Sequence, residues 1–98
     1  MTPILSLVNR GSVEYDPFMG LAKSEAELQE RASAYLKAEL QKAEVTYAEL
    51  AKRLKKHGLL DETEDSIKAK LKRGTFPATF FLACLAALEL TKVSLNDL

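Results

Sequence analysis

The fold is decided by residues 46–74, whose sequence is TYAELAKRLKKHGLLDETEDSIKAKLKRG. Apolar residues recur in this stretch at spacings of three and four, which is typical of helices with one buried face. Gly58 and Gly74 follow the two periodic runs, and a glycine in a left-handed conformation commonly ends a helix. The pattern predicts two short helices, from Tyr47 to about Lys56 and from near Thr63, or Asp61, to Arg73.

The start of the first of these helices carries two further signals. Thr46 and Glu49 have the spacing of a capping box, in which each side chain can bond the other residue's backbone N–H. Val45 and Leu50 flank the box at the positions of a hydrophobic staple. Two short helices with a tight connection form a helix-turn-helix, whose second helix can enter the DNA major groove. Nucleic acid is therefore the first partner to consider.

A longer helix is predicted before this stretch. Ser24 and Glu27 again have capping-box spacing, and good helix formers dominate the residues that follow. About five turns carry one apolar stripe. The stripe consists of Leu28, Ala32, Tyr35, Leu36, Leu40 and Ala43.

A last long helix is expected after Pro77, because proline is favoured in the first turn of a helix. The run from Phe80 to Leu88 is apolar all round, so it must be covered on most sides, by the core or by a dimer interface. We expect this helix to be the most buried element. The expected contacts join Leu82, Leu85 and Leu88 to Leu36, Leu50 and Leu54. Beyond it, Ser94 and Asp97 have the spacing of a cap that opens a terminal helical turn packing Leu95 and Leu98.

Charge is distributed unevenly along a chain of 98 residues whose formal net charge is zero. Residues 52–73 carry a net charge of +4, whereas residues 1–51 and 74–98 are both net negative. A phosphate-binding surface would concentrate positive charge on the predicted helix-turn-helix in this way. The alternative is an ordinary solvated surface with ion pairs inside each helix.

The first 23 residues differ from the rest, because prolines and glycines interrupt any periodicity. We interpret residues 1–23 as a flexible or docking N-terminal arm, with Met19 as an alternative start of translation. Residues 24–98 are the helical domain. No apolar run is long enough to span a bilayer, and the single Cys84 lies in an apolar run. A buried, inert thiol and a cytoplasmic location are the expectations.

Together these elements predict an all-α fold, a compact helix-turn-helix bundle of four main helices plus a short C-terminal helical turn. TYAELAKRL resembles the second helix of the lambda-repressor and Cro-like helix-turn-helix family, and SIKAKLKRG resembles its third. The resemblance covers about two-thirds of the chain. More closely, YLKAELQKAEVTYAELAKRLKKHGL and KLKRGTFPATFFLACLAAL resemble a small bacterial domain family of unknown function. The first resemblance implies DNA binding, and the second implies no activity.

The candidate DNA-binding residues lie on the two helices of the motif. Each cation has a second interpretation, since basic residues near a helix C-terminus are favoured by the helix dipole without any ligand. In the functional interpretation they contact phosphates beside the groove. The candidates are Lys52, Arg53, Lys56, Ser66, Ala69, Lys70, Lys72 and Arg73.

No pattern in the sequence indicates catalysis. There is no nucleophile elbow or phosphate loop, and the single His57 and single Cys84 do not form a zinc motif. Phe76, Phe80 and Phe81 could stack on bases, but aromatic residues at a helix start are more often core. We expect no enzyme activity, no cofactor and no metal.

The functional expectation is a small DNA-binding helix-turn-helix protein, a bacterial transcription regulator that acts as a homodimer on double-stranded DNA. The alternative is a non-catalytic protein-interaction module that keeps the fold without binding DNA. Two features favour the alternative. The connection from His57 to Glu62 is longer than is usual for the motif. Glu64 and Asp65 also make the start of the third helix acidic, and carboxylates repel phosphates, although Glu64 and Lys68 have ion-pair spacing.

Overall fold

A computed structural model describes residues 24–98, and within that range the chain forms four α-helices and one short 3-10 turn. The helices are α1, Glu25–Ala43; α2, Tyr47–Lys55; α3, Glu64–Arg73; and α4, Ala78–Ala87. The turn is Leu95–Asp97. The predicted all-α bundle of four helices plus a C-terminal turn is confirmed. The arm interpretation of residues 1–23 and the possible start at Met19 lie outside the described residues.

The helix starts follow the capping signals of the sequence. The hydroxyl of Ser24 accepts from the Glu27 N–H at the start of α1, and that of Thr46 accepts from the Glu49 N–H at the start of α2. The Glu49 carboxylate accepts from Arg53 instead of closing the predicted box. Helix α3 starts after Thr63, as predicted.

Two sharp turns separate α1, α2 and α3. Glu44 adopts a left-handed conformation with φ 58° after α1, and the Val45 N–H returns to the Leu40 carbonyl at 2.9 Å. After α2 the chain passes through Lys56 in a right-handed conformation, and Gly58, with φ 95°, lies two residues further on. Gly58 is left-handed and forms the C-terminal cap of α2, as predicted, because the Leu59 N–H bonds the Leu54 carbonyl at 3.0 Å and the Gly58 N–H bonds the Lys55 carbonyl at 3.3 Å.

The core forms where the apolar faces of all four helices meet. Leu54, Ile67, Leu50, Leu36 and Phe80 are at most 1% exposed, so each is fully removed from water. Val45 is also buried, so both residues of the predicted staple lie in the core. Helix α3 contributes Ile67 and Leu71 alone to the core, as its thin apolar stripe predicts.

The apolar stripe of α1 was overestimated. In α1 the buried part of the stripe is Tyr35, Leu36 and Leu40, whereas Leu28 is 46% exposed and Ala43 is exposed. Helix α4 is covered around most of its circumference, as predicted, and its exposed strip is formed by Ala78, Thr79, Leu82 and Ala86. Its buried face is formed by Phe80, Cys84 and Ala87, followed by Leu88.

The predicted contact of Leu82 with the core is wrong, because Leu82 is 62% exposed. Leu85 is half-buried. A helix turns about 100° per residue, so Leu82 lies far around α4 from Phe80. A sequence that is apolar all round carries no information about which face turns inward, and this is why the face was misassigned.

Candidate nucleic-acid interface

Helix α3 is the element that the sequence assigns to the DNA groove, and its start is fixed by a reciprocal capping box. The Thr63 hydroxyl accepts from the Ser66 N–H at 3.1 Å, and the Ser66 hydroxyl accepts from the Thr63 N–H at 2.8 Å. The same Ser66 hydroxyl lies 2.6 Å from a Glu62 carboxylate oxygen, to which it donates. Ser66 was predicted near the groove, and the structure places its hydroxyl inside this local network.

Lys70 is held by the same carboxylate. Its ammonium lies 3.0 Å from one Glu62 oxygen and 3.2 Å from the other, and both side chains are mostly buried. The ammonium also lies 5.5 Å from the centre of the Phe80 ring, within the range of a cation–π contact. Glu62 therefore attaches the long α2–α3 connection to α3, and Lys70 is neutralised within the fold.

Arg53 is the second predicted cation that the structure places in an internal network. Its Nε lies 3.2 Å from the Glu49 carboxylate, and another guanidinium nitrogen donates to the Ala87 carbonyl at 3.1 Å. The last carbonyls of a helix have no partner within the helix, so this bond satisfies one of them at the end of α4. Arg53 links α2 to α4.

The remaining predicted cations are exposed. Lys52 and Lys56 lie at the end of α2, and Lys72 and Arg73 lie at the end of α3. Their cationic groups form no ion pair with any of residues 24–98. Ala69 is exposed on α3 as well. Of the eight candidates, these five keep a surface that a ligand can reach without breaking an internal bond.

The acidic start of α3 is also exposed. Glu64 and Asp65 lie in the first turn of the helix, where carboxylates are favoured by the helix dipole. The ion pair predicted between Glu64 and Lys68 does not form, and Lys68 is exposed. The two ends of α3 thus present opposite charge to solvent.

A groove between α1 and the end of α3 adds a cation that the sequence analysis missed. The groove holds about 680 Å³, and Lys37 of α1 lines it together with Lys72 and Arg73. Glu27 and Glu30 line it too, so its charge is mixed. Lys37 is separated from Lys72 by many residues, and only the packing of α1 on α3 brings them to one groove. No sequence spacing could have identified Lys37.

The groove depends on a close approach between two backbones. Gly74 has φ 76°, and a Cβ built on it would lie 2.8 Å from both the Cβ and the carbonyl oxygen of Gln29. Both the left-handed backbone conformation and the lack of room for a Cβ require glycine at position 74. Ser33, one turn further along α1, is 6% exposed, and its hydroxyl has no hydrogen-bond partner among residues 24–98.

Cys84 lies on the buried face of α4, as the sequence predicts for an inert thiol. Burial, and then the Glu62 carboxylate, raises the pKa of Cys84 from 9.0 to about 12. The thiol therefore stays protonated at neutral pH, and a protonated thiol is a poor nucleophile.

Within residues 24–98, no group of three His, Cys, Asp or Glu side chains is placed to hold a metal ion.

The described chain is an all-α bundle in which two short helices, α2 and α3, present most of the exposed cations. Residues 28–93 match a family described as a domain of unknown function, DUF6471. The match covers more than half of the chain, so the chain belongs to this family. No curated protein and no solved structure matches the chain. The resemblance to the lambda-repressor family stays a prediction, and none of the helices in residues 24–98 could cross a bilayer.

Proposed function

We propose that this protein is a small bacterial DNA-binding regulator that contacts duplex DNA through the ends of α2 and α3. One observation carries the proposal. Helix α3 contributes only Ile67 and Leu71 to the core, while Lys72 and Arg73 stay exposed without an ion pair in the described part of the chain. A helix that buries so little and ends in exposed cations suits contact with a groove and its flanking phosphates.

In the proposed mechanism the exposed cations neutralise phosphates and no cofactor takes part. Lys52 and Lys56 contact the backbone on one side of α3, and Lys72 and Arg73 contact it at the end of α3. Ala69 is the small exposed residue that lets the helix approach the bases. Arg53 acts indirectly by fixing α2 against α4, and Lys70 is balanced by Glu62.

A salt titration of duplex binding tests this proposal. We expect the wild-type chain to bind random-sequence duplex more tightly at about 50 mM than at about 200 mM salt. The Lys72→Ala/Arg73→Ala variant should bind more weakly, and the slope of log affinity against log salt should flatten by about 1.8, near 0.9 per phosphate contact. The measurement is fluorescence polarisation of labelled duplex, with circular dichroism to establish that the variant is folded.

The matched control is the Lys42→Ala/Lys92→Ala variant, which loses the same two charges at positions outside α2 and α3. Its salt slope should stay close to that of the wild type. Equal salt slopes for the two double variants would mean that net charge alone explains the binding. That result would contradict a specific DNA-binding surface. Absence of wild-type binding at about 50 mM salt, where phosphate contacts are strongest, would reject DNA as the partner.

A second candidate function, a protein-interaction module, is favoured by the exposed carboxylates of Glu64 and Asp65 at the start of α3. These groups repel phosphates at the end of the helix that meets base edges in helix-turn-helix proteins. The Glu64→Gln/Asp65→Asn variant distinguishes the two functions. In a DNA-binding protein it should tighten non-specific binding modestly. If the wild type does not bind and only this variant does, α3 excludes DNA and the interaction module is the better assignment.

A further inference from the structure

Lys37 is a cation of α1 that lines the groove between α1 and the end of α3. Lys72 and Arg73 line the same groove from the α3 side, and the groove holds about 680 Å³. All three side chains are exposed, and none forms an ion pair with any of residues 24–98. Unpaired cations from two different helices therefore meet at one groove.

The packing of α1 on α3 fixes the distance between the two sides of the groove. Leu71 is buried, and Gly74 approaches the backbone of Gln29 so closely that no Cβ fits between them. The two helices cannot move closer together, and moving them apart would expose Leu71. The backbone at Lys37 therefore keeps a fixed position relative to the end of α3, and only side-chain rotation is left to adapt to a ligand.

Two carboxylates in the groove lining do not cancel the positive charge. Glu27 lies 3.6 Å from the Arg31 guanidinium, so part of its charge is balanced within α1. Glu30 is exposed and forms no ion pair with any of residues 24–98, and it lies two helical turns before Lys37. Three cations against two carboxylates leave the groove net positive, so the groove favours an anion.

The floor of the groove adds a polar group that the described fold does not use. Ser33 lines the groove one helical turn before Lys37, and its buried hydroxyl has no hydrogen-bond partner among residues 24–98. Buried hydroxyls normally have a partner. An anion in the groove, or a water molecule bound to that anion, supplies the acceptor that this hydroxyl lacks.

We propose that one strand of a DNA duplex lies along this groove and that Lys37 contacts a phosphate beside those contacted by Lys72 and Arg73. The inference rests on the proposed function, and it extends the interface from α2 and α3 to α1. Phosphate contacts fix the orientation of a protein on the duplex. Cations on both sides of a groove hold a strand against rotation better than cations at one helix end, so Lys37 sets the angle at which α3 meets the duplex.

A salt titration of single-charge variants tests the inference. Lys37→Ala should bind random-sequence duplex more weakly than the wild type, and the slope of log affinity against log salt should flatten by about 0.9. Lys37→Arg should keep the wild-type slope, because it keeps the charge. Circular dichroism of both variants should match the wild type, since Lys37 is exposed.

Lys42→Ala is the matched control for Lys37→Ala. Lys42 is an exposed lysine of the same helix, but it lines a different groove and is paired with Glu39 at 3.2 Å. Its removal makes the same change in net charge, so its salt slope should stay at the wild-type value if the position of the charge matters.

The free carboxylate of the groove gives a test of opposite sign. Glu30→Gln should tighten duplex binding by about twofold, because it removes a charge that repels phosphate. Glu25→Gln makes the same charge change at an exposed residue of α1 that does not line the groove, and it should tighten binding less. Equal tightening by the two variants would contradict a strand lying in the groove.

Failure of this inference and failure of the proposed function give different results. Equal salt slopes for Lys37→Ala and Lys42→Ala would overturn the contact with α1, while the slope of Lys72→Ala/Arg73→Ala separately decides the contact with α3. Absence of wild-type binding at about 50 mM salt would reject both the proposed function and this inference.

Discussion

Gly74 lies so close to Gln29 that a Cβ on the glycine would be 2.8 Å from the Gln29 Cβ. Real Cβ atoms essentially never approach so closely, and backbone atoms of Gln29 lie at 2.8 and 3.0 Å as well. The end of α3 thus meets the first half of α1 backbone to backbone. Any side chain at position 74 must push the two helices apart.

Alanine substitution at the two left-handed glycines distinguishes the effect of this close contact from the effect of backbone strain. Gly58→Ala should destabilise the fold by about 1–2 kcal/mol, the cost of a left-handed alanine, because nothing lies within 4 Å of its added Cβ. Gly74→Ala should cost at least about 1 kcal/mol more than that, since overpacking adds to the same strain. Urea unfolding of both variants measures the difference. Equal losses would mean that α1 and α3 separate without cost.

The Glu62–Lys70 pair offers a test of whether the α2–α3 connection reduces the positive charge that is available to bind DNA. Glu62→Gln should destabilise the fold by about 1–3 kcal/mol, because hydrogen bonds to charged groups contribute about that much and Lys70 would stay mostly buried without its counter-charge. The same variant should bind DNA more tightly, with a salt slope steeper by up to about 0.9 if Lys70 reaches a phosphate. Thermal melts and polarisation titrations measure the two effects.

Glu25→Gln is the control for Glu62→Gln, because it makes the same charge change on an exposed residue in the first turn of α1. Its stability should change by well under 1 kcal/mol, as for most surface substitutions. Should both variants tighten DNA binding equally, net charge would explain the gain. A Lys70→Ala change would also break the pair, so the Lys72→Ala/Arg73→Ala variant is the cleaner test of phosphate contact.

Two serines with opposite surroundings predict opposite effects. Ser33→Ala should leave stability unchanged or raise it by up to about 1 kcal/mol, because the buried hydroxyl has no partner among residues 24–98. Ser66→Ala should lower stability by about 1–2 kcal/mol, since it removes the capping box and the bond to Glu62. Chemical denaturation compares them. A loss above about 1 kcal/mol in Ser33→Ala would imply a partner for its hydroxyl.

The burial of Cys84 predicts slow alkylation of its thiol and a pH-dependent contribution to the stability of the fold. With its pKa raised to about 12, Cys84 should resist alkylation at about pH 8 in the folded chain and react fully in denaturant. The unfolded thiol ionises from about pH 9, whereas the folded thiol does not. Its contribution to stability is complete below pH 9 and falls as the pH rises towards 12. The Cys84→Ala variant should lack this loss of stability at alkaline pH. Rapid native alkylation would contradict the burial of Cys84.

Local signals predicted the helices, and three-dimensional packing determined what they expose. Ser24, Thr46 and Thr63 cap the helices where the sequence indicates, because a cap bonds backbone groups only two or three residues away. Ile67 and Leu71 are buried because they alone form the stripe of α3. In α4 almost every position is apolar, so periodicity could not distinguish the inward Cys84 from the outward Leu82.

The candidate site was predicted less completely, for a similar reason. The exposed Lys52, Lys56, Lys72 and Arg73 lie at helix ends that the sequence identifies. The Ala87 partner of Arg53 lies far along the chain, and the Glu62 partner of Lys70 lies in the irregular α2–α3 connection, so spacing could not identify them. The Glu49 partner of Arg53 lies at ordinary i,i+4 helical spacing. Charge counted along the sequence overestimates the charge that is free at the surface.

The bond between Arg53 and the Ala87 carbonyl has a consequence for the exposed cations of α2. It ties α2 to α4, so Lys52 and Lys56 at the end of α2 keep a fixed position relative to the core. Loosening Arg53 would therefore change where these two cations lie without removing either charge.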